Sequence, residues 1–522
     1  MSSSQKNTAR RFSVPLTENI VAATIMRTDT TEETMMKKRT IRTVSLALVC
    51  AFAAVSGACA KKDPLKPPGT TSGTADTSDP YEALPDADYN GYDFRVLIRD
   101  DDWIVADMFQ DEPSSDTVQS QIYDRNRKVE GRYGISVVSV PKNDGFTAVD
   151  SIFAGDADYD LILPHARYCA VYAGGGYLLD WNTVPNLNTG GKWWDQNAIK
   201  SLSINGKLMY ATGDISYWSY GATNLLLFNK DLFTGLELEF PYQKVRDNSW
   251  TIDDFEVLVK KGSKDLNGDG QIDKDNDRFG YMTIGFVGDV QAYHATGNTV
   301  ISKDGDDTPY ISYYTERAED VWRWYSKLIY SEYCYFQDKL VSYFDTDAVA
   351  GFRDGRSLFI DINTINVTTM RSMENEFGII PWPTYIEGEK FLTNVDAGLH
   401  LFCIPITAED PGRTGLILEA LCILGNRYVI PQYYETTVKY RDARDDESFE
   451  MLDLIFDGRV YDLGYYNVEL TGAVGKNENI ANNFKYLTEN KVSSMAVTWS
   501  KFGDMANQYL SDYLDKLAEM QG

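Results

Sequence analysis

Between Asp265 and Asp277 the chain sets oxygen-bearing side chains around a glycine: Asp265, Asn267, Asp269, Gln271 and Asp273, followed by Asn276 and Asp277. Counted from Asp265, the first five fall at positions 1, 3, 5, 7 and 9 of a calcium loop. Gln271 would offer its backbone carbonyl, and Gly270 stands at position 6, where the chain must turn sharply. Calcium takes six to eight hard oxygens, and this stretch supplies most of them locally. Position 12 is Asn276 rather than the bidentate Glu of an EF-hand, so the last ligand has to come from Asn276, Asp275, Asp277 or water. Asn, Asp and Gly also build metal-free Asx turns. The pattern points to a structural calcium ion, a clip rather than a sensor, in a compartment where free calcium is plentiful.

Other chemistry is sparse. There is no H-E-x-x-H, G-x-S-x-G, Walker A or C-x-x-C pattern, and the chain holds 3 His, which leaves little for acid–base work. A glycosidase needs two carboxylates about 5 to 10 Å apart. The 77 acidic residues supply carboxylates for such a pair, so a secreted carbohydrate-active hydrolase stands as the competing class. The net charge of -27 opposes any surface that tracks phosphates, so no nucleic-acid partner is expected, and an anionic ligand would need a local basic pocket. The 34 Tyr and 10 Trp offer flat faces that suit sugar rings and fill cores equally well.

At 522 residues the chain is long enough for two cores. Residues 1–34 read as an over-extended gene start. Residues 35–58 read as a signal peptide: Lys37, Lys38, Arg39 and Arg42 precede the apolar run Val44 to Val55, then Ser56-Gly57-Ala58-Cys59. This resembles a bacterial lipoprotein signal, which makes Cys59 the lipidated first residue, palmitate and all; Ser56 departs from the aliphatic residue usual there. Residues 59–91, with Pro-Pro-Gly and Thr/Ser runs, form a flexible tether. Cys169, Cys334, Cys403 and Cys422 have no metal-type spacing and are expected as buried free thiols.

From Tyr92 the pattern is that of α/β structure. Phe94 to Ile98, Ile135 to Val140 and Tyr159 to Leu163 read as strands separated by helices, an order that predicts a parallel, doubly wound sheet with ligands beyond the carboxyl ends of its strands. That rule selects Trp103 after the first strand, and His165 and Arg167 after the third. Thr251 N-caps a helix with Asp253 and Asp254 in its first turn.

Tyr159-Asp-Leu-Ile-Leu163, Leu226 to Phe233, Ser249-Trp250-Thr-Ile-Asp253, Arg278-Phe-Gly280, Phe352 to Arg356 and Leu358 to Asp361 occur in an order in which the chain resembles the extracellular solute-binding proteins of ABC importers, in particular the maltose-binding-like family 1 and its lipoprotein relatives. The resemblance runs from about Tyr92 to the C-terminus. It implies a two-lobed periplasmic-binding-protein-like fold of type II with a hinge, lobe 1 being 92–215 plus 397–428 and lobe 2 being 216–396 plus 429–522, with the calcium loop 265–277. It implies three crossings, near Gly213 to Gly221, Val395 to Leu399 and Asn426 to Pro431. Trp103, His165, Arg167, Tyr217, Trp218, Asp361, Asn363, Trp382 and Asp396 are then the candidate contacts. Each also has a plain structural role open to it: a loop histidine, hinge packing, an Asx turn, a core edge or a strand cap. The expected function is capture of a carbohydrate, an oligosaccharide, by a monomer lipid-anchored on the outer face of the cell membrane, for delivery to an importer permease. A peptide or other polar solute is the alternative ligand.

Overall fold

The structure is a computed structural model and describes residues 79–520 apart from 143–146, 286, 338–345, 440–445, 473–479 and 481–482. Cys59, the signal segment and the expected tether up to residue 78 lie outside the described residues. The remainder of that tether, 79–91, requires a correction: it packs on the first lobe, with Tyr81 buried, Arg132 donating to the Leu84 carbonyl at 2.8 Å and Tyr89 N–H donating to the Tyr133 carbonyl at 2.8 Å. In chain order the strands are β1 Tyr92–Arg99, β2 Ile135–Lys142, β3 Leu161–Leu163, β4 Tyr210–Ala211, β5 Asn224–Asn229, β6 Phe279–Ile284 and β7 Ile301–Lys303. They continue as β8 Pro309–Ile311, β9 Cys334–Gln337, β10 Ser357–Asn363, β11 Phe377–Ile380, β12 Thr393–Asn394, β13 Phe402–Cys403 and β14 Arg459–Val460.

Two five-stranded sheets make the two lobes. The first runs β2-β1-β3-β13-β4, the second β11-β5-β10-β6-β9. In the first, β1 pairs in parallel with β2 and β3, as the β-α-β order requires, whereas β13 is antiparallel to both its neighbours. The second sheet is mixed too: β6 is parallel to β9 and β10, and β5 is antiparallel to β10 and β11. Their inner strands are buried on both faces, while the edge strands β2 and β9 are largely half-buried or exposed. β5, β6 and β10 are buried at every residue, which is why they read as continuous apolar runs rather than alternating ones.

Local signals set the helices. Asp116 accepts from the N–H groups of Val118 and Gln119 to start Thr117–Tyr133, and Gly134 ends it at φ 59. Thr251 and Asp254 form a capping box at the head of Ile252–Gly262. Trp193 and Trp194 lie beneath the first sheet, their indole N–H groups each donating at 2.9 Å to one oxygen of buried Glu419.

The chain passes from β4 to β5 through residues 212–223 and returns to β13 through 395–401. It leaves again where the helix Pro411–Leu424 runs into a π-helical turn, Gly425–Val429, and on into Ile430–Lys439. The C-terminal helix Ala496–Glu519 packs against both β8 and the helix Cys169–Gly174, so it touches both lobes rather than the second alone. Cys169, Cys334, Cys403 and Cys422 are buried and unbridged.

Candidate cleft between the lobes

β1 and β3 end side by side and deliver the first wall. Arg99, the last residue of β1, donates from Nη2 to the carbonyl of Gly398 at 2.8 Å, and its guanidinium stands 5.9 Å over the Trp103 ring. Two residues past β3, His165 caps the turn Ala166–Tyr168: Arg167 N–H donates to its Nδ1 at 3.3 Å. His165 also bridges to His400 on the returning chain. Burial first, then the charges of Arg99 and Arg167 and the nearby His400, push His165 down to about 3, so it stays neutral. The Arg167 guanidinium lies 5.5 Å from the ring of Tyr465.

The crossings form the floor. Trp218 meets Trp103 edge to face, with ring centroids 4.6 Å apart at 79°. Tyr217 turns the other way: it stacks on Tyr433 at 4.8 Å, and its N–H donates to Asp107 Oδ1 at 3.0 Å. The same carboxylate accepts from Ser216 and stands 3.0 Å from His400 Nδ1, so Asp107 ties two crossings together. Asp396 donates from its N–H to the Ala222 carbonyl at 2.9 Å. Its carboxylate accepts from Gly398 N–H at 2.8 Å and from Tyr465 OH at 3.3 Å, while burial raises its pKa.

The second lobe adds Asn363, at the end of β10 and opposite Asn224 of β5. Thr364 follows and donates from both N–H and hydroxyl to the Thr223 carbonyl at 2.8 Å, which seats this edge on the first crossing. Asp361 sits deeper, fully buried. A Cβ on Gly288 would meet Asp361 Oδ2 at 2.8 Å and the hydroxyls of Thr283 and Tyr325 at 2.1 and 2.6 Å, which shows how closely these oxygens converge. Burial pushes Asp361 up to about 7, with Thr283 and Tyr281 pulling it back in part. Trp382 requires a correction: it is 1% exposed, and its ring packs against Phe255, Tyr281 and Tyr325, so it is core and no stacking platform. Tyr217 and Asp361 likewise face inward.

Thus Trp103, His165, Arg167, Trp218, Asn363 and Asp396 converge with two residues that strand-end reasoning passed over, Arg99 and Tyr465. Arg99 could have been found as the last residue of β1; Tyr465 lies in a stretch with no periodicity. Several buried polar atoms here have no protein partner: Arg99 Nε, Trp218 Nε1, Asn224 Oδ1 and Asn363 Oδ1. Such atoms are costly to leave unmade and suit a ligand rich in hydroxyls.

Away from the cleft, the 265–277 loop closes on itself. Asp265 accepts from Gly268 and Gly270 N–H at 2.6 and 2.8 Å, and Asp277 accepts from Leu266 and Asp273 N–H at 2.8 and 2.9 Å. Asn267 and Asp269 accept from the N–H groups two residues on, and Asn276 donates to Asp273. Gly270 has φ 87, the left-handed turn the spacing demands. Among the described residues no three His, Cys, Asp or Glu side chains are grouped as metal ligands.

Among the described residues no helix is long and apolar enough to cross a membrane. No curated protein sequence matches the chain. Solved structures match its fold at low identity. A cyclo/maltodextrin-binding protein complexed with maltotetraose is 15% identical, covering 82% of this chain and 96% of its own, with a TM-score of 0.50. RafE from Streptococcus pneumoniae in its apo form is 15% identical, covering 81% and 98%, with a TM-score of 0.50. The GacH receptor of Streptomyces glaucescens, solved unliganded and with acarbose, is 12% identical, covering 81% and 99%, with a TM-score of 0.51. These likenesses give the two-lobed periplasmic-binding-protein architecture. Residues 126–421 match the model of one sequence family, more than half of the chain, and the protein belongs to that family, the bacterial extracellular solute-binding proteins.

Proposed function

We propose that this protein captures an oligosaccharide between its lobes and hands it to the permease of an ABC importer, held to the outer face of the membrane by a lipid on Cys59. The observation that carries the reading is the aromatic floor beside unpartnered polar groups. Trp103 is 45% exposed, edge to face with Trp218 and 5.9 Å from the Arg99 guanidinium, whose Nε has no protein partner, while Asn363 and Asn224 pair at the end of β10 with one unpartnered side-chain oxygen each. An exposed indole gives a sugar ring its apolar face, and the polar atoms take its hydroxyls. The similar folds solved with maltotetraose and acarbose support the same ligand class. Ligand that touches both lobes favours the closed arrangement by its differential affinity. A calcium ion in the 265–277 loop would clip the second lobe without entering the cleft.

A thermal-shift screen of the mature chain against oligosaccharides and peptides tests this. A rise in midpoint with one glycan class is expected. A shift with peptides alone would overturn the carbohydrate assignment, and turnover of an oligosaccharide on incubation would replace binding with hydrolysis.

A further inference from the structure

We propose that Cys169 and Cys403 are a disulfide-forming pair: as the chain folds outside the membrane in the presence of a thiol–disulfide oxidant, they close a bond that staples β13 to the helix Cys169–Gly174 beneath the first wall of the cleft.

The two thiols lie 234 residues apart in the chain and 3.8 Å apart in space, with Cys403 Sγ donating to Cys169 Sγ. Both are fully buried, in one apolar cluster with Ile162, Tyr210 and Leu401. A disulfide bond is about 2.05 Å long, so each sulfur has about 0.9 Å to travel, which a modest rotation about its own χ1 supplies. The other two buried thiols are placed elsewhere. Cys422 Sγ donates to the Trp193 carbonyl at 3.1 Å, and Cys334 opens β9 of the second sheet.

The position gives such a bond something to hold. β13 has two residues, Phe402 and Cys403, yet it fills a place inside the first sheet, meeting β3 at the single pair Cys403 and Ile162. Cys169 begins its helix directly after the turn Ala166–Tyr168, and its N–H donates to the Ala166 carbonyl. Just upstream of each cysteine, His165 and His400 bridge. The staple therefore ties the turn that carries His165 and Arg167 to the chain returning from the second lobe.

Burial, and then the neighbouring Cys169, hold the Cys403 thiol well above its usual range, so in the folded chain it is a poor nucleophile and shielded from reagents. The bond thus forms during folding, before this cluster closes, and the family to which the chain belongs folds outside the membrane, where disulfides persist. One cysteine thiolate attacks the disulfide of an extracytoplasmic thiol–disulfide oxidoreductase, which gives a mixed disulfide and frees one carrier thiolate. The second cysteine thiolate attacks the first cysteine's sulfur in that mixed disulfide and displaces the other carrier thiolate. Two electrons pass to the carrier, which leaves as a dithiol holding the two protons that the cysteines lose.

The test uses the mature chain exported by a bacterial host and isolated without reductant, then denatured in the presence of an alkylating agent and mapped by mass spectrometry of its peptides. A linked peptide joining Cys169 to Cys403 is expected, with Cys334 and Cys422 alkylated. Melting in a phosphine reductant is expected to lower the midpoint by a few degrees, a shift that Cys169→Ala and Cys403→Ala each lack and Cys334→Ala retains. Exported chain in which Cys169 and Cys403 are both alkylated, or in which either is linked to a different cysteine, would overturn the inference. The peptide map reads the parent chain alone, so it decides the matter whether or not the alanine variants fold.

Discussion

Trp103 and Trp218 touch edge to face at 4.6 Å although one stands on the first lobe after β1 and the other on the crossing to β5. Their surroundings differ. Trp103 is 45% exposed and Trp218 is 7% exposed, so the pair presents one open face and one anchored edge. Trp103→Ala should therefore change stability by no more than about 0.5 kcal/mol but weaken oligosaccharide binding at least about tenfold. Trp218→Ala should cost about 3 kcal/mol or more of stability, because it empties a packed site. Urea denaturation and calorimetric titration separate the two effects. Unaltered affinity in Trp103→Ala would remove this pair from the ligand site.

An ion pair buried near the hinge joins Arg459 of β14 to Asp195 at 2.7 Å, with Tyr461 OH donating to the same carboxylate oxygen at 2.7 Å. The Arg459 guanidinium also lies 4.1 Å from the Tyr220 ring on the first crossing. Removing one partner of a buried pair strands the other charge, so Arg459→Met should destabilise by about 3–5 kcal/mol. Asp195→Asn in the same chain should recover part of that loss, because Asn keeps the cap on the helix Gln196–Leu202, where Asp195 accepts from Ala198 N–H at 3.0 Å. Chemical denaturation of the two singles and the double closes the cycle; strict additivity would show that the two residues act independently.

Local chemistry is what the sequence displayed and tertiary pairing is what it hid. The β-branched runs of β1 and β2, the capping box at Thr251 and the glycine turn at Gly270 each state their conformation within a few residues. The two-residue strands β4 and β13 do not, because they exist only by pairing with each other and, for β13, with β3. The same division runs through the site. Trp103, His165 and Arg167 follow from strand ends, as Arg99 could have, whereas Tyr465 gains its place from the Asp396 carboxylate 69 residues away. Trp382 misled for a related reason: two flanking prolines make it look stiff and presented, and only the partners Phe255, Tyr281 and Tyr325 show that it is enclosed.

The 265–277 loop separates metal from scaffold. Asp277 accepts backbone N–H groups from both arms of the loop, and those of Asp273 and Leu266 hold its carboxyl below the usual range. Asp269 accepts only from Gln271 N–H and Asn267, within the turn. With calcium in the loop, a chelator should lower the melting midpoint by a few degrees, and Asp269→Ala should remove that dependence. Asp277→Ala should melt earlier with or without chelator, because it opens the loop itself. A wild-type midpoint that chelator leaves unmoved would make the loop a metal-free turn.

Asp361 gives the stability of the chain a pH dependence opposite to that of His165. The Asp361 carboxyl is buried beside Gly288 and the Thr283 and Tyr325 hydroxyls, and burial, with Asp289 adding repulsion, pushes it up to about 7. Its folded pKa lies above the unfolded value, so its contribution is fully present below about pH 4 and is lost as pH rises through 7. His165, held near 3 when folded, contributes in full above about 6.5 and loses that contribution as pH falls toward 3. Asp214 and Glu419, pushed up to about 7 by burial, add to the Asp361 trend. Asp361→Asn keeps an acceptor for the Thr283 and Tyr281 hydroxyls and removes the charge. At pH 8 it should be more stable than the parent by something on the order of 2–4 kcal/mol, and at pH 4.5 it should differ by less than about 1 kcal/mol. Urea denaturation at the two pH values decides it: an equal difference at both would mean that Asp361 does not titrate in this window.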